Sequence, residues 1–558
     1  MNKRLLAPAL AISLSCGIAQ AADLQLFNAD PANVGLNDPT PAAPVGGNTG
    51  TTIGAQRQFV YRHALSTWGS VLGSNAPVVV SAKFAPLTCT ATSAVLGSAG
   101  ANWVSPLDYN LPTGTAADPW RPGALVNALY GSEQNPGAPA INSQFNGALG
   151  AANCLAGSGW YYGLDGNTPA GKINFLNVVM HEIAHGLGAA GFLNKTTGAL
   201  FLGGPDVYSA KARDNITGML FSDPTMTNTQ RAIAMRTNGA TVWTGANVNQ
   251  QAALLLDSNY QNALALHVSA PAAMARDYGF YTASFGPAPT PANFNGQWVL
   301  ATDVVEPAVP PGLPGTTTDG CSPFTNAAAI AGKIAMVDRG YCGFAVKVKN
   351  AQLAGATAVV VLNSASTWGA MGGTDPTITI PSVIVQQVDG IAFKANAPIT
   401  GGMVLGPVTL AGMDTNGRTR LYSPWVVAPG STFSHFDTVL HPDALMEPFD
   451  SPEVQAQLTL DLTPALLRDI GWPMNNGNTK LFNGICDTGV PAAADGGIAI
   501  GANIAGADAT CKIGATRTTY YSCMNAYASK LYTDGLINGT QKSKIQTCAR
   551  RTSDNWGR

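Results

Sequence analysis

The sequence predicts an α+β protein: a core interrupted by a long insertion that contains an α/β domain, with a small disulfide-linked helical region at the C-terminal end. Three observations carry this expectation. A helix pattern and a β-branched run precede residue 190, a strand–helix–strand pattern lies between about 300 and 410, and Cys486, Cys511, Cys523 and Cys548 cluster at the end. The 558 residues are 46% hydrophobic and 11% charged, punctuated by 62 Gly and 37 Pro. That excludes a long-helix bundle, a coiled coil and a charge-driven disordered chain. Lys plus Arg total 30 against 32 Asp plus Glu, so no bulk positive charge suggests nucleic acid as a partner.

Residues 1–21, MNKRLLAPALAISLSCGIAQA, read as a signal peptide. Lys3 and Arg4 precede an apolar stretch, and Ala19-Gln20-Ala21 supplies small residues for cleavage. Pro8 and the Ser-Cys-Gly segment interrupt the run that a membrane anchor would need. No later segment looks transmembrane, so the mature chain is expected to be secreted, with the periplasm as the other exported location. Cleavage would remove Cys16 and leave an even set of cysteines, which favours disulfides in an oxidising compartment. Spacing groups Cys89 with Cys154 and Cys321 with Cys342, and leaves the pairing of Cys486, Cys511, Cys523 and Cys548 open. No Cys-x-x-Cys pair suggests a zinc ribbon or a thioredoxin-like site.

The span 22–189 opens with turn-rich sequence, then GAQRQFVYRHALSTWGSVL, in which Phe59, Ala64, Trp68 and Val71 fall near helical spacing. APVVVSAKFAPL follows as a buried strand, and residues 140–147 as a shorter one. GKINFLNVVMHEIAHGLGAAGF passes from a turn into a helix that ends at a glycine cluster. Residues 190–299 form an insertion with strand candidates at LFLGG, TVWTG, LALHV and FYTASFG. Residues 300–410 give strand, helix and strand at GKIAMVDRG, FAVKVKNAQLAG and ATAVVVLNS, with another strand at ITIPSVIVQ. Residues 411–473 return to turns and helices, and 474–558 carry the terminal cysteines. The last 48 residues hold eight Lys or Arg and two Asp, read as the solvated face of a small helical hairpin.

The chemical signal is His181-Glu182-Ile183-Ala184-His185. Positions four apart share a helix face, so two imidazoles can reach one metal while Glu182 can take a proton from a water beside it. A catalytic zinc usually has three protein ligands. Gly188 stands where HExxHxxGxxH has its glycine, but the third histidine of that pattern would be residue 191, which is Gly. His63 and His267 read as structural. His435, in STFSHFDTVLHPDALMEP, is the preferred third ligand, with His441 and Asp437 as alternatives.

HEIAHGLG followed far downstream by SHFD and ALMEP resembles the leishmanolysin branch of the metzincin zinc peptidases, in which a long insertion separates the third histidine. The resemblance covers roughly 53–189 and 411–473, and LTPALLRDIGWP is similar to the segment that closes that catalytic domain. It implies a metzincin-like core, zinc ligation by His181, His185 and His435, general-base work by Glu182, and a methionine turn at Met446. Much of the insertion resembles a protease-associated (PA) domain, with limits near 300–410. The implied activity is a secreted zinc endopeptidase that cleaves internal bonds of protein or peptide substrates. The alternatives are a non-catalytic binding or adhesion protein on the same scaffold, and a zinc aminopeptidase. No D-x-[DN]-x-[DN]-G loop supports calcium.

Overall fold

The computed structural model describes residues 21–107, 118–307 and 315–557. The signal-peptide expectation, Cys16 included, falls on residues 1–20 and so lies outside the described residues. Two compact units emerge. Of the described residues, the first comprises 21–107, 121–188 and 455–557, and the second comprises 118–120, 189–307 and 315–454.

In the first unit, Leu24–Asn28 (β1), Val78–Ala85 (β2), Gly97–Ala101 (β3) and Ile141–Asn146 (β4) form one sheet in the order β1-β2-β4-β3. The first three strands in that order run parallel, and β3 pairs antiparallel with β4 at the edge. The β-branched run at 78–80 supplies β2, whose Val78 and Val80 are fully buried. Ile53–Val71 (α1) and Phe175–Leu187 (α2) pack beside the sheet. Phe59, Ala64, Trp68 and Val71 are all buried on α1, as their spacing predicts. His63 is also buried, and its Nε2–H donates to Asn503 Oδ1 at 2.8 Å. It belongs to the packing between α1 and the helix Ile500–Cys511, whose Gly506 approaches so closely that a Cβ there would lie 2.7 Å from the imidazole.

The C-terminal part of this unit is helical from Ile500 onward, with helices Arg517–Thr533 and Gly539–Asp554. The pairing left open by spacing resolves as Cys486–Cys548 and Cys511–Cys523, and Cys89–Cys154 forms as grouped. Tyr520, Met524, Ala528 and Leu531 make the buried stripe of Arg517–Thr533, which leaves the basic residues outward.

The second unit is built on an eight-stranded sheet. Its strands are Leu264–Ala270 (β5), Arg276–Tyr278 (β6), Phe280–Thr282 (β7), Asn295–Leu300 (β8), Ile334–Asp338 (β9), Ala358–Leu362 (β10), Ser382–Val385 (β11) and Ile399–Leu405 (β12). Their order is β6-β5-β12-β8-β9-β10-β11-β7. Strands β8 to β11 are mutually parallel, with Phe344–Leu353 (α3) crossing from β9 to β10 and Gln387–Ala395 (α4) following β11. Continuous apolar runs such as AVVVL suit a parallel strand covered on both faces, and every residue of β10 is buried. The sheet therefore draws on 264–300 as well as on 300–410. TVW and LALHV are strands as expected, whereas LFLGG is a 3₁₀ turn with Leu202 at φ 47°. His267 is a structural residue of the β5–β6 pair, bonded to Asp277 at 2.8 Å. Cys321–Cys342 forms as grouped. Among the described residues of both units, no helix is long and apolar enough to cross a membrane.

Candidate metal centre

Helix α2 begins where the side chain of Asn174 accepts from the backbone N–H of Leu176 and Asn177, at 3.0 and 3.3 Å. It ends at Gly188, whose φ of 121° is one that side chains rarely adopt. A Cβ at Gly188 would also come within 2.8 Å of Ile470 and 3.0 Å of Pro122. The glycine read from the motif is thus required twice, by backbone conformation and by packing. Trp472, from LTPALLRDIGWP, donates its Nε1–H to the Leu187 carbonyl at 2.7 Å. This satisfies one of the carbonyls that a helix end leaves without an intrahelical donor. Both segments lie in the first unit, so the chain does return to this helix after the insertion.

His181 and His185 stand on one face of α2, with ring centroids 4.7 Å apart and planes at 84°. Along α2 His181 is the residue only partly buried; the others, Glu182 and His185 included, are buried. Two imidazoles converging from adjacent turns form a nitrogen donor set that fits zinc. Glu182 lies against the edge strand β3. The Ala99 N–H donates to its carboxylate, and a Cβ at Gly97 would stand 2.7 Å from its Oε1. Burial pushes the Glu182 carboxyl up to about 8, and the Ala99 hydrogen bond works against that shift. A cation held by the neighbouring imidazoles would favour the ionised form that a base requires. Gly97 is a site residue that the sequence reading missed; its only signal was an unremarkable glycine in GSAGA.

His435, Asp437, His441 and Met446 belong to the second unit. His435 is buried, and its Nδ1–H donates to the Ser431 carbonyl at 2.8 Å. That bond fixes the tautomer in which Nε2 carries the lone pair, the usual support of a metal-ligating histidine. Two residues earlier, Phe433 is held at φ 72° with its side chain fully buried, so the approach to His435 is locally strained. Met446 is buried in the turn that follows, and its carbonyl accepts from Phe436 N–H at 2.9 Å. The turn is therefore tied to the backbone beside His435.

The competitors are engaged elsewhere. The His441 side chain is 54% exposed, bonds Asp257 at 2.8 Å and is held above the usual imidazole range mainly by that bond. Asp437 is buried in an ion pair with Arg420 at 2.8 Å. Gly191, where the short motif would place its third histidine, faces Phe433, and even a Cβ there would lie 2.4 Å from that ring. The short motif thus fails sterically as well as chemically.

Comparison with known proteins identifies a PA domain at residues 295–393. This chain contains a PA domain. No curated protein matches. Among solved structures, the zinc aminopeptidase BSAP from Bacillus subtilis is 22% identical over 29% of this chain and 37% of its own, with a TM-score of 0.19. An aminopeptidase from Aneurinibacillus sp. strain AM-1 is 20% identical over 31% of this chain and 43% of its own, with a TM-score of 0.18. A peptidase M28 precursor from Shewanella amazonensis is 11% identical over 29% of this chain and 41% of its own, also at 0.18. The chain spans about two fifths of the length of these structures, and at such TM-scores the likeness supports no inference about the rest of the architecture. The PA expectation is met. The leishmanolysin and wider metzincin resemblance gains no support from these comparisons.

Proposed function

We propose that this chain is a zinc-dependent peptidase. The observation that carries the reading is the convergence of His181 and His185 on one face of α2, with the Glu182 carboxylate beside them against β3. His181, His185 and His435 would hold the metal, His435 being the candidate whose backbone-bonded ring suits ligation. Met446 would form an apolar floor. Zinc bound there would supply Lewis acidity toward a scissile carbonyl and a water. Glu182 would take the proton from that water and return it to the departing amine.

Internal cleavage is the reading that the site's geometry supports. Strand β3 is the edge of its sheet beside Glu182, and an extended peptide could pair along it through its middle, with no free terminus needed. Removal of N-terminal residues is the second reading, and the comparisons favour it over internal cleavage, since two of the neighbours named above are aminopeptidases, one of them a zinc enzyme. The disulfides suit an exported enzyme.

The test pairs Glu182→Gln with metal analysis. Hydrolysis should fall by about 10²–10⁴-fold while zinc content and fold are kept. Undiminished turnover in the variant would remove the proposed base. Terminally blocked quenched peptides and free-amine substrates, run side by side, separate the two cleavage modes. Folded protein that takes up no zinc would favour the binding-protein alternative.

A further inference from the structure

A second cluster of metal-binding character lies in the PA-bearing unit, remote in sequence from the histidines. Asp303, Glu306 and Asp319 each place a carboxylate oxygen within 4.8 Å of the others. Asp303 and Asp319 are 5% and 2% exposed. The segments that carry them run side by side, with Asp303 N–H donating to the Thr317 carbonyl at 3.0 Å and Gly315 N–H to the Glu306 carbonyl at 3.3 Å.

The donors around the cluster fall short of its acceptors. Asp319 is well supplied, by Thr316 N–H on one oxygen and Cys321 N–H on the other. Asp303 receives Ser322 N–H at 3.2 Å on Oδ2, and Glu306 receives the Ser322 hydroxyl on Oε1. Among the described residues, Asp303 Oδ1 and Glu306 Oε2 are buried without a hydrogen-bond partner. Leaving such acceptors bare is costly, and anionic ones more so.

Lys347 is the buried cation nearby, but its ammonium is committed to the carbonyls of Asp319, at 2.6 Å, and Gly340 and to the Cys321 sulfur. Asp338 is separately paired with Lys394. Three carboxylates against one ammonium leave two negative charges uncompensated. Burial, with Asp319 and Glu306 adding repulsion, accordingly raises the Asp303 carboxyl.

We propose that Asp303, Glu306 and Asp319 bind a hard divalent cation. It would supply the two missing charges and take up the oxygens that no N–H or O–H reaches. All donors are oxygen, which selects calcium or magnesium over zinc. The three oxygens lie within 4.8 Å of one another, close enough for one such ion to touch all of them. Magnesium sheds its waters reluctantly, so carboxylates as buried as Asp303 and Asp319 favour calcium. The ion would clamp the 303–306 segment to the 316–322 loop beside the Cys321–Cys342 disulfide.

The experiment is calorimetric titration of the full chain, its zinc content measured beforehand, with calcium chloride and separately with magnesium chloride at pH 7. One calcium per chain is expected, bound more tightly than magnesium and raising the thermal unfolding midpoint. Asp303→Asn and Glu306→Gln should each weaken binding by about 10-fold or more while leaving zinc content unchanged. Glu306 is only partly buried, so that variant keeps the test decisive if Asp303→Asn folds poorly. Magnesium binding alone, lost in the same variants, would also support the site. No binding of either ion up to about 10 mM, or binding unaltered in both variants, would overturn it.

Discussion

Gly97→Ala tests the proposed base through a residue that does no chemistry. Gly97 opens β3 and has a φ that alanine can adopt, so the backbone tolerates the change. The new methyl would stand 2.7 Å from Glu182 Oε1, 2.9 Å from its Cγ and 3.0 Å from its Cδ. An ordinary contact needs at least 3.4 Å, so the carboxylate must retreat by about 0.7 Å or rotate off its position. Displacements near 1 Å in a catalytic group cost on the order of 10²-fold. Turnover should therefore fall by roughly 10–100-fold, with zinc content kept because His181 and His185 are untouched. Gly100→Ala, on the same strand with nothing within 4 Å of its Cβ, is the control and should be silent. Steady-state kinetics on a quenched peptide, with metal analysis and circular dichroism, reads all three variables. Full activity in Gly97→Ala would mean that Glu182 does not work from the place where β3 holds it.

Other consequences follow from the packing of the first unit. Burial lowers the His63 imidazole from 6.5 to about 4, so the fold resists protonation that the unfolded chain accepts. Stability is then fully present above pH 6.5 and lost as pH falls toward 4, by about 3 kcal/mol for this group. Denaturant unfolding of wild type and His63→Gln across that window should show a steeper loss in wild type, and parallel curves would refute it. Trp472→Phe removes the donor on the Leu187 carbonyl and should cost about 1–3 kcal/mol by urea unfolding, with no loss expected if that carbonyl found water instead.

What the sequence disclosed was what is encoded locally. Two histidines four apart declare a shared helix face, and Gly188 declares the end of that helix, because both follow from backbone geometry within a few residues. The strand–helix–strand run of the PA domain was readable for the same reason, since AVVVL can only be a covered strand or a buried helix and is too short for the latter. Sheet membership was not readable. Strands β5 to β7 join the PA sheet from the preceding insertion through pairings such as Leu264 with Leu405, which no window of sequence contains. LFLGG misled because its apolar residues imitate a strand, while Leu202 and Gly203 both turn to positive φ.

The same distinction explains the two residue sets that reading along the chain overlooked. Gly97 matters only because β3 is brought against α2 from about 80 positions away, so its missing side chain becomes room for Glu182. Asp303 and Glu306 are three apart, with Asp319 thirteen positions further on, a spacing that matches no contiguous cation loop. Their significance appears when donors are counted: among the described residues two buried carboxylate oxygens have no partner, and the adjacent Lys347 ammonium is already spent on backbone carbonyls and a sulfur. A motif search asks which residues are near in sequence. Counting donors against buried acceptors asks which charges the fold has left unanswered, and here it points to a cation that pattern matching had given no reason to expect.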